Sequence, residues 1–120
     1  MEDKERMYTV TEVCRRFDIT RKTLFYYDRT GLLTPSDRIG PQYHKVYDSE
    51  AVEKLQMIIN YRNCGLSIAE IRAILKESDN NIGETLTLLE SARKRLEREK
   101  MQKESELERL NQLISQLKRQ

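Results

Sequence analysis

The chain has 120 residues, of which 38% are hydrophobic and 35% charged, and its mean hydropathy is -0.78. This length holds one small domain plus one extra element, and so polar a composition points to an extended, solvated helix beside a compact head. Cys14 and Cys64 stand far apart without a CxxC, no apolar run approaches the ~18 residues of a membrane span, and no apolar stretch follows the charged start, so a structural zinc site, a disulfide framework, a membrane span and a secretory leader are set aside and the chain reads as cytoplasmic and cofactor-free.

Charge is informative once it is split. The formal net charge is +2, and residues 77–120 hold 9 basic against 9 acidic side chains. The stretch 13–47 carries seven basic residues against three acidic ones, a local +4. That concentration suits a polyanion-binding surface, and an ordinary solvated face is the alternative.

Thr9-Val10-Thr11-Glu12 is a capping box, with Tyr8 and Val13 placed as a hydrophobic staple, and predicts a short helix to about Phe17. Asp18-Ile19-Thr20 breaks it, with Thr20 as the next N-cap and Ile19 stapled to Leu24. The second helix carries Arg21 to Tyr27, and Gly31 ends it. Two short helices joined by so tight a turn form a helix-turn-helix.

From Gly31 to Tyr47 the helical period disappears. Pro35, Gly40 and Pro41 break the chain, while Tyr43, Val46 and Tyr47 favour extended structure, which predicts a small β-hairpin or wing. Asp48 and Ser49 open a third helix with Val52, Leu55, Ile58 and Ile59 on one face, closing before Gly65. Ser67-Ile68-Ala69-Glu70 is a second capping box, stapled by Leu66 and Ile71, whose helix buries Ile71, Ile74 and Leu75. The head therefore spans 7–76.

Residues 77–83 form a polar connector. Asn81 and Glu84 make an N-cap pair, and a helix over 84–118 meets no Pro or Gly, which gives a rod of ~50 Å. Its heptads place Leu86, Leu107 and Ile114 at a and Leu89, Leu96, Leu110 and Leu117 at d, with basic Arg93, Lys100 and Lys103 between the two apolar ends. A parallel pair would set those cations against their own copies. An antiparallel pair opposes apolar to apolar, so a mainly α protein is expected: a winged helix-turn-helix head followed by a long C-terminal helix forming an antiparallel coiled-coil dimer. A long helix folding back on its own head is the alternative.

These segments together resemble the MerR family of bacterial transcription regulators. Tyr8-Thr9-Val10-Thr11-Glu12-Val13 is similar to the family's opening, and Thr20 to Leu33 is similar to its recognition helix and following turn. Val46-Tyr47-Asp48 and Gly65 to Ile71 match later segments. The resemblance implies a dimer that binds an inverted repeat in double-stranded promoter DNA with over-spaced −35 and −10 elements, distorts it, and so lets RNA polymerase engage both. Three places depart from the pattern: Phe25 stands where an Arg usually precedes the paired tyrosines, Tyr43-His44-Lys45 replaces Gly-Tyr-Arg in the wing, and Ile59 and Asn60 replace basic residues late in the third helix.

The first turn of a recognition helix enters the major groove, which makes Arg21, Lys22 and Thr23 candidate DNA contacts. Tyr26 resembles a DNA-contacting tyrosine of the family, and Tyr27, its neighbour on another face, is assigned to the core. In the wing, Arg38, Tyr43, His44 and Lys45 are candidates, and His44 gains a second donor when protonated. Arg16 and Arg62 are further phosphate candidates. Cys14 is read as core rather than sensor, and the dimerisation helix lacks the cysteines of metal-sensing relatives. No nucleophile–base arrangement and no Gly-rich phosphate loop is present, so an enzyme is not read. Drug-sensing relatives carry a further effector domain, so this is either a short regulator or part of a longer chain, and any small-molecule effector is unknown. The competing function is a coiled-coil interaction module, an antirepressor or adaptor, using the same head on a protein partner.

Overall fold

The structure is a computed structural model that describes residues 6–77 and 81–120. The chain runs β1 (Tyr8–Thr9), α1 (Val10–Phe17), α2 (Arg21–Arg29), β2 (Asp37–Ile39), β3 (His44–Tyr47), α3 (Ser49–Asn63), α4 (Ile68–Glu77) and α5 (Ile82–Lys118). It divides between Ile71 and Arg72 into two compact units. The fold is mainly helical, with a small sheet, as expected.

In the first unit, local signals start and stop each helix. Thr9 Oγ1 accepts from the Glu12 amide at 3.1 Å, and Glu12 Oε1 accepts from the Thr9 amide at 3.0 Å, which completes the capping box. These hydrogen bonds hold the Glu12 carboxyl below its ordinary range, the Thr9 amide bond contributing most and Arg6 adding to it. Asp18 turns left-handed (φ 54°) to end α1. After α2, the Gly31 amide donates to the Asp28 carbonyl and the Leu32 amide to the Tyr27 carbonyl. That pair of bonds is a Schellman motif, and it requires the positive φ of 75° that Gly31 supplies. Leu32 and Leu33 are thereby delivered into the interior of this unit, where Leu24, Leu55 and Ile58 are also fully buried. Burying each such side chain contributes about 1.5–3 kcal/mol.

The sheet has the order β1-β3-β2, antiparallel throughout. Tyr8 faces Tyr47 and Thr9 faces Val46, so β3 is the central strand. The wing hairpin is as expected, and the sheet gains an unexpected third strand: Tyr8 and Thr9 form β1, and Thr9 is at the same time the cap of α1. Tyr43 corrects the reading of extended structure. Its φ is 54°, and its amide donates to the Gly40 carbonyl at 3.1 Å, so it closes the hairpin turn and stands 73% exposed. Asp48 caps α3 through the Ala51 amide at 2.8 Å, and Ser67 and Glu70 exchange both bonds of the second capping box.

In the second unit, Ile74 on α4 and Ala92 on α5 are buried, while Leu75 is only half-buried. The expected connector is shorter than 77–83. α4 continues through Glu77, and Asn81 caps a helix that begins at Ile82, its Oδ1 accepting from the Glu84 amide at 3.1 Å. Residues 78–80 of that connector lie outside the described residues. α5 has 37 residues, about 55 Å of helix. Among the described residues, no helix is long and apolar enough to cross a membrane.

Candidate nucleic-acid interface

Thr20 caps α2 by accepting from the Thr23 amide at 3.1 Å, which puts Arg21 and Lys22 in the first turn, both exposed. No acidic residue shares that turn. Two cations at the positive end of a helix cost local stability, and a docked polyanion would offset both charges. Arg21 Nη2 donates to Thr11 Oγ1 at 2.6 Å, tying the start of α2 to the start of α1. Thr23 is half-buried, and its hydroxyl accepts from that of Thr20 at 3.0 Å.

Adjacent helix positions differ by about 100° in direction, and the two tyrosines separate accordingly. Tyr26 is 42% exposed and Tyr27 only 5%, their ring centroids 6.4 Å apart. The Arg29 guanidinium lies 5.8 Å from the Tyr26 ring, a contact not anticipated from the sequence.

In the wing, Arg38 is exposed and stands opposite Lys45 in the ladder. His44 Nε2 lies 3.0 Å from Gln42 Oε1. Lys45 is engaged on α2: its Nζ lies 3.1 Å from Asp28 Oδ2 and 4.4 Å from the Phe25 ring centroid. A groove of about 410 Å³ brings Thr11, Arg21, Phe25, Tyr43, His44 and Lys45 together. Helix-turn-helix and wing thus share one cleft with cationic and aromatic walls.

Lys22, Thr23, Tyr26, Arg38, Arg16 and Arg62 are not among the residues that line that cleft. Arg16 is exposed, its guanidinium 5.6 Å from the Tyr8 ring and 5.8 Å from Phe17. Arg62 spends one donor inside the fold, from Nη1 to the Leu66 carbonyl at 2.8 Å, bracing the turn after α3. Thr11 was missed as a site residue, although its place two residues after an N-cap sets it on the exposed first turn of α1. Arg6, also missed, covers the Tyr8 ring at 4.5 Å and reaches Glu12 at 3.2 Å.

Cys14 is half-buried, and burial pushes its thiol upward against the opposing pull of Arg21; Cys64 is exposed. Among the described residues, no group of three or more His, Cys, Asp or Glu is placed to hold a metal ion.

On α5, Leu86, Leu107, Leu110, Ile114 and Leu117 are exposed, whereas Leu89 and Leu96 are half-buried. Leu113, not assigned to the seam, is exposed as well. Of the three cations between the apolar ends, two have these acidic neighbours on the same helix: Arg93 lies 3.9 Å from both Glu90 and Glu97, and Lys103 lies 3.1 Å from Glu106.

The model of the MerR HTH family regulatory proteins matches residues 8–78. The nodulation protein NolA of Bradyrhizobium elkanii is 32% identical over 99 residues, covering 82% of this chain and 42% of that protein. The HTH-type transcriptional activator TipA of Streptomyces coelicolor is 36% identical over 70 residues, covering 58% of this chain and 27% of that protein. A crystal structure of a MerR-family transcriptional regulator from Bacillus cereus superposes with a TM-score of 0.77 at 26% identity, covering 89% of this chain and 79% of the other. The chain spans less than half the length of these two curated relatives.

Proposed function

The chain belongs to the MerR family of helix-turn-helix regulatory proteins, and from that premise we propose that it is a sequence-specific transcription regulator that binds an inverted-repeat promoter operator as a homodimer. The observation that supports this reading is the shared cleft. Arg21 from the first turn of α2 and Tyr43 and His44 from the wing line one groove, so a single duplex can meet both elements.

In this reading the start of α2 enters the major groove, where Arg21 and Lys22 supply the long donors that reach base edges and phosphates. Thr23 lies behind them, and the exposed Tyr26 hydroxyl donates to the backbone. Arg38, Tyr43 and His44 follow the neighbouring phosphates, and Arg16 lies at the flank. Lys45 and Arg62, already engaged inside the fold, contribute less directly. α5 pairs with that of a second copy through Leu86, Leu89, Leu96, Leu107, Leu110, Ile114 and Leu117. Two heads held apart by a stiff coil then exert bending and untwisting on the DNA between half-sites, which is how RNA polymerase at the promoter is controlled.

The test is selection of genomic fragments by the native protein beside an Arg21→Ala/Lys22→Ala variant. Enrichment of an inverted repeat by the native protein alone is expected. Equal, weak and salt-sensitive capture by both would reduce the interaction to nonspecific electrostatics and move the protein-partner reading to first place.

A further inference from the structure

Lys45 in the wing has two partners on the recognition helix. Its Nζ lies 3.1 Å from Asp28 Oδ2 and 4.4 Å from the Phe25 ring centroid. Phe25 and Asp28 are one turn apart on α2, so a single ammonium is held between a ring face and a carboxylate of the same helix. The side chains are 30% and 20% exposed, too sheltered to be a fully screened surface pair. In the ladder, Lys45 lies directly opposite Arg38. Two like charges at that position repel, and Asp28 removes the charge of one of them.

We propose that Lys45, Asp28 and Phe25 form a latch that fixes the wing against the recognition helix, and that Lys45 acts as a positioning residue rather than as a phosphate contact. The inference rests on the DNA-binding reading for its purpose, but not for its geometry. With the latch closed, β2 and β3 keep a set angle to α2, so the groove is organised before DNA arrives. Arg38 is left as the outward charge of that cross-strand pair.

The experiment compares the native chain with Lys45→Met, Asp28→Asn and the double variant. Two readouts are taken: hydrogen exchange of the β2 and β3 amides, and the salt dependence of binding to fragmented duplex DNA of mixed sequence. A latch predicts that each single variant speeds wing exchange several-fold and that the double variant is no faster than the singles. It also predicts that Lys45→Met weakens DNA binding with an unchanged slope of log K against log salt. If Lys45 instead neutralised a phosphate, the slope would fall by about 1 for each head. That result, or wing exchange unmoved by Asp28→Asn, overturns the latch. Native protein that holds no DNA at any salt removes the DNA-binding reading, and the exchange measurement then decides the latch alone.

Discussion

Arg21 Nη2 and Thr11 Oγ1 are 2.6 Å apart, which joins the first turns of α1 and α2 at the side chain that the proposed function needs most. A guanidinium has five N–H donors in a fixed fork, so the bond orients the group without exhausting it. Thr11→Val is therefore expected to weaken DNA binding a few-fold through lost preorganisation, with the salt slope unchanged. Arg21→Ala removes the charge as well, and its slope is expected to fall by about 1 for each head. Titrations across a salt series separate the two. Identical slopes for both variants would mean that Arg21 serves only to connect the helices.

Among the described residues, the Tyr47 hydroxyl is buried without a hydrogen-bond partner. Leaving such a group unsatisfied costs about 1–3 kcal/mol, so Tyr47→Phe is expected to be neutral or to stabilise the fold. Burial, with the nearby Asp28 carboxylate adding to it, pushes the phenol up to about 12. A tyrosine in the unfolded chain loses its proton near 10. Between those values the folded state binds more protons than the unfolded one, so stability falls as pH rises, by at most about 1.4 kcal/mol per pH unit. Denaturant unfolding at neutral pH and near pH 11 should show the native chain losing more than Tyr47→Phe. A variant clearly less stable at neutral pH would show that the hydroxyl is bonded in solution.

The capping box at the start of α1 has an acid-side signature of opposite sign. The Glu12 carboxyl is held low, first by the Thr9 amide, so its stabilising contribution is present above the ordinary carboxylate range and lost as pH falls through the folded value. Glu12→Gln keeps an acceptor for Thr9 without the titration. The native chain should therefore lose stability relative to Glu12→Gln on acidification, as read by thermal melts at descending pH. Parallel loss in both would show that the charge plays no part.

What the sequence revealed and what it hid divide by distance along the chain. Both capping boxes, the Thr20 and Asp48 caps and the turn at Gly31 depend on residues within five positions of each other, and each was legible. That Tyr26 and Tyr27 lie on different faces follows from helical geometry, while Tyr26 as the outward one rests on its resemblance to the family's DNA-contacting tyrosine. β1 was hidden because Tyr8 and Thr9 already had roles as staple and cap, and a strand of two residues has no period to read. Tyr43 was misread because an aromatic favours strands, whereas the closure of a Gly40-Pro41-Gln42 turn forces the next residue left-handed. Gly83, a poor helix former, disguised a helix that starts at Ile82 immediately after its Asn81 cap. Phe25 and Lys45 are two separate departures from the family pattern in the sequence. They touch each other, and no local rule could join positions so far apart in sequence.

Cysteine reactivity should follow burial. Cys14 is half-buried with its thiol pushed up by desolvation, while Cys64 at the end of α3 is exposed. Because the thiolate is the reactive form, iodoacetamide at neutral pH is expected to label Cys64 well before Cys14. Mass spectrometry of a labelling time course checks this. Faster labelling of Cys14 would mean that α1 opens readily.

The proposed dimer has a definite register if its seams are antiparallel. Setting Leu86 opposite Leu117 of a second copy also sets Leu89 opposite Ile114 and Leu96 opposite Leu107, with Arg93 facing Leu110 and Lys100 facing Lys103. In each half of the coil three layers are then wholly apolar, and the one cationic layer falls beside the dyad. There Lys103 is already paired with Glu106 at 3.1 Å, whose carboxyl is held below its ordinary range chiefly by that lysine. Leu96 and Leu107 lie eleven residues apart on one helix, about 16 Å, far beyond disulfide reach. In a background of Cys14→Ser and Cys64→Ser, Leu96→Cys/Leu107→Cys is therefore expected to oxidise to a covalent dimer, while neither single variant does. A parallel coil would place each residue against its own copy, so both singles would crosslink, and that pattern would reject the antiparallel arrangement. A chain that crosslinks in no variant and sediments as a monomer would reject the dimer itself.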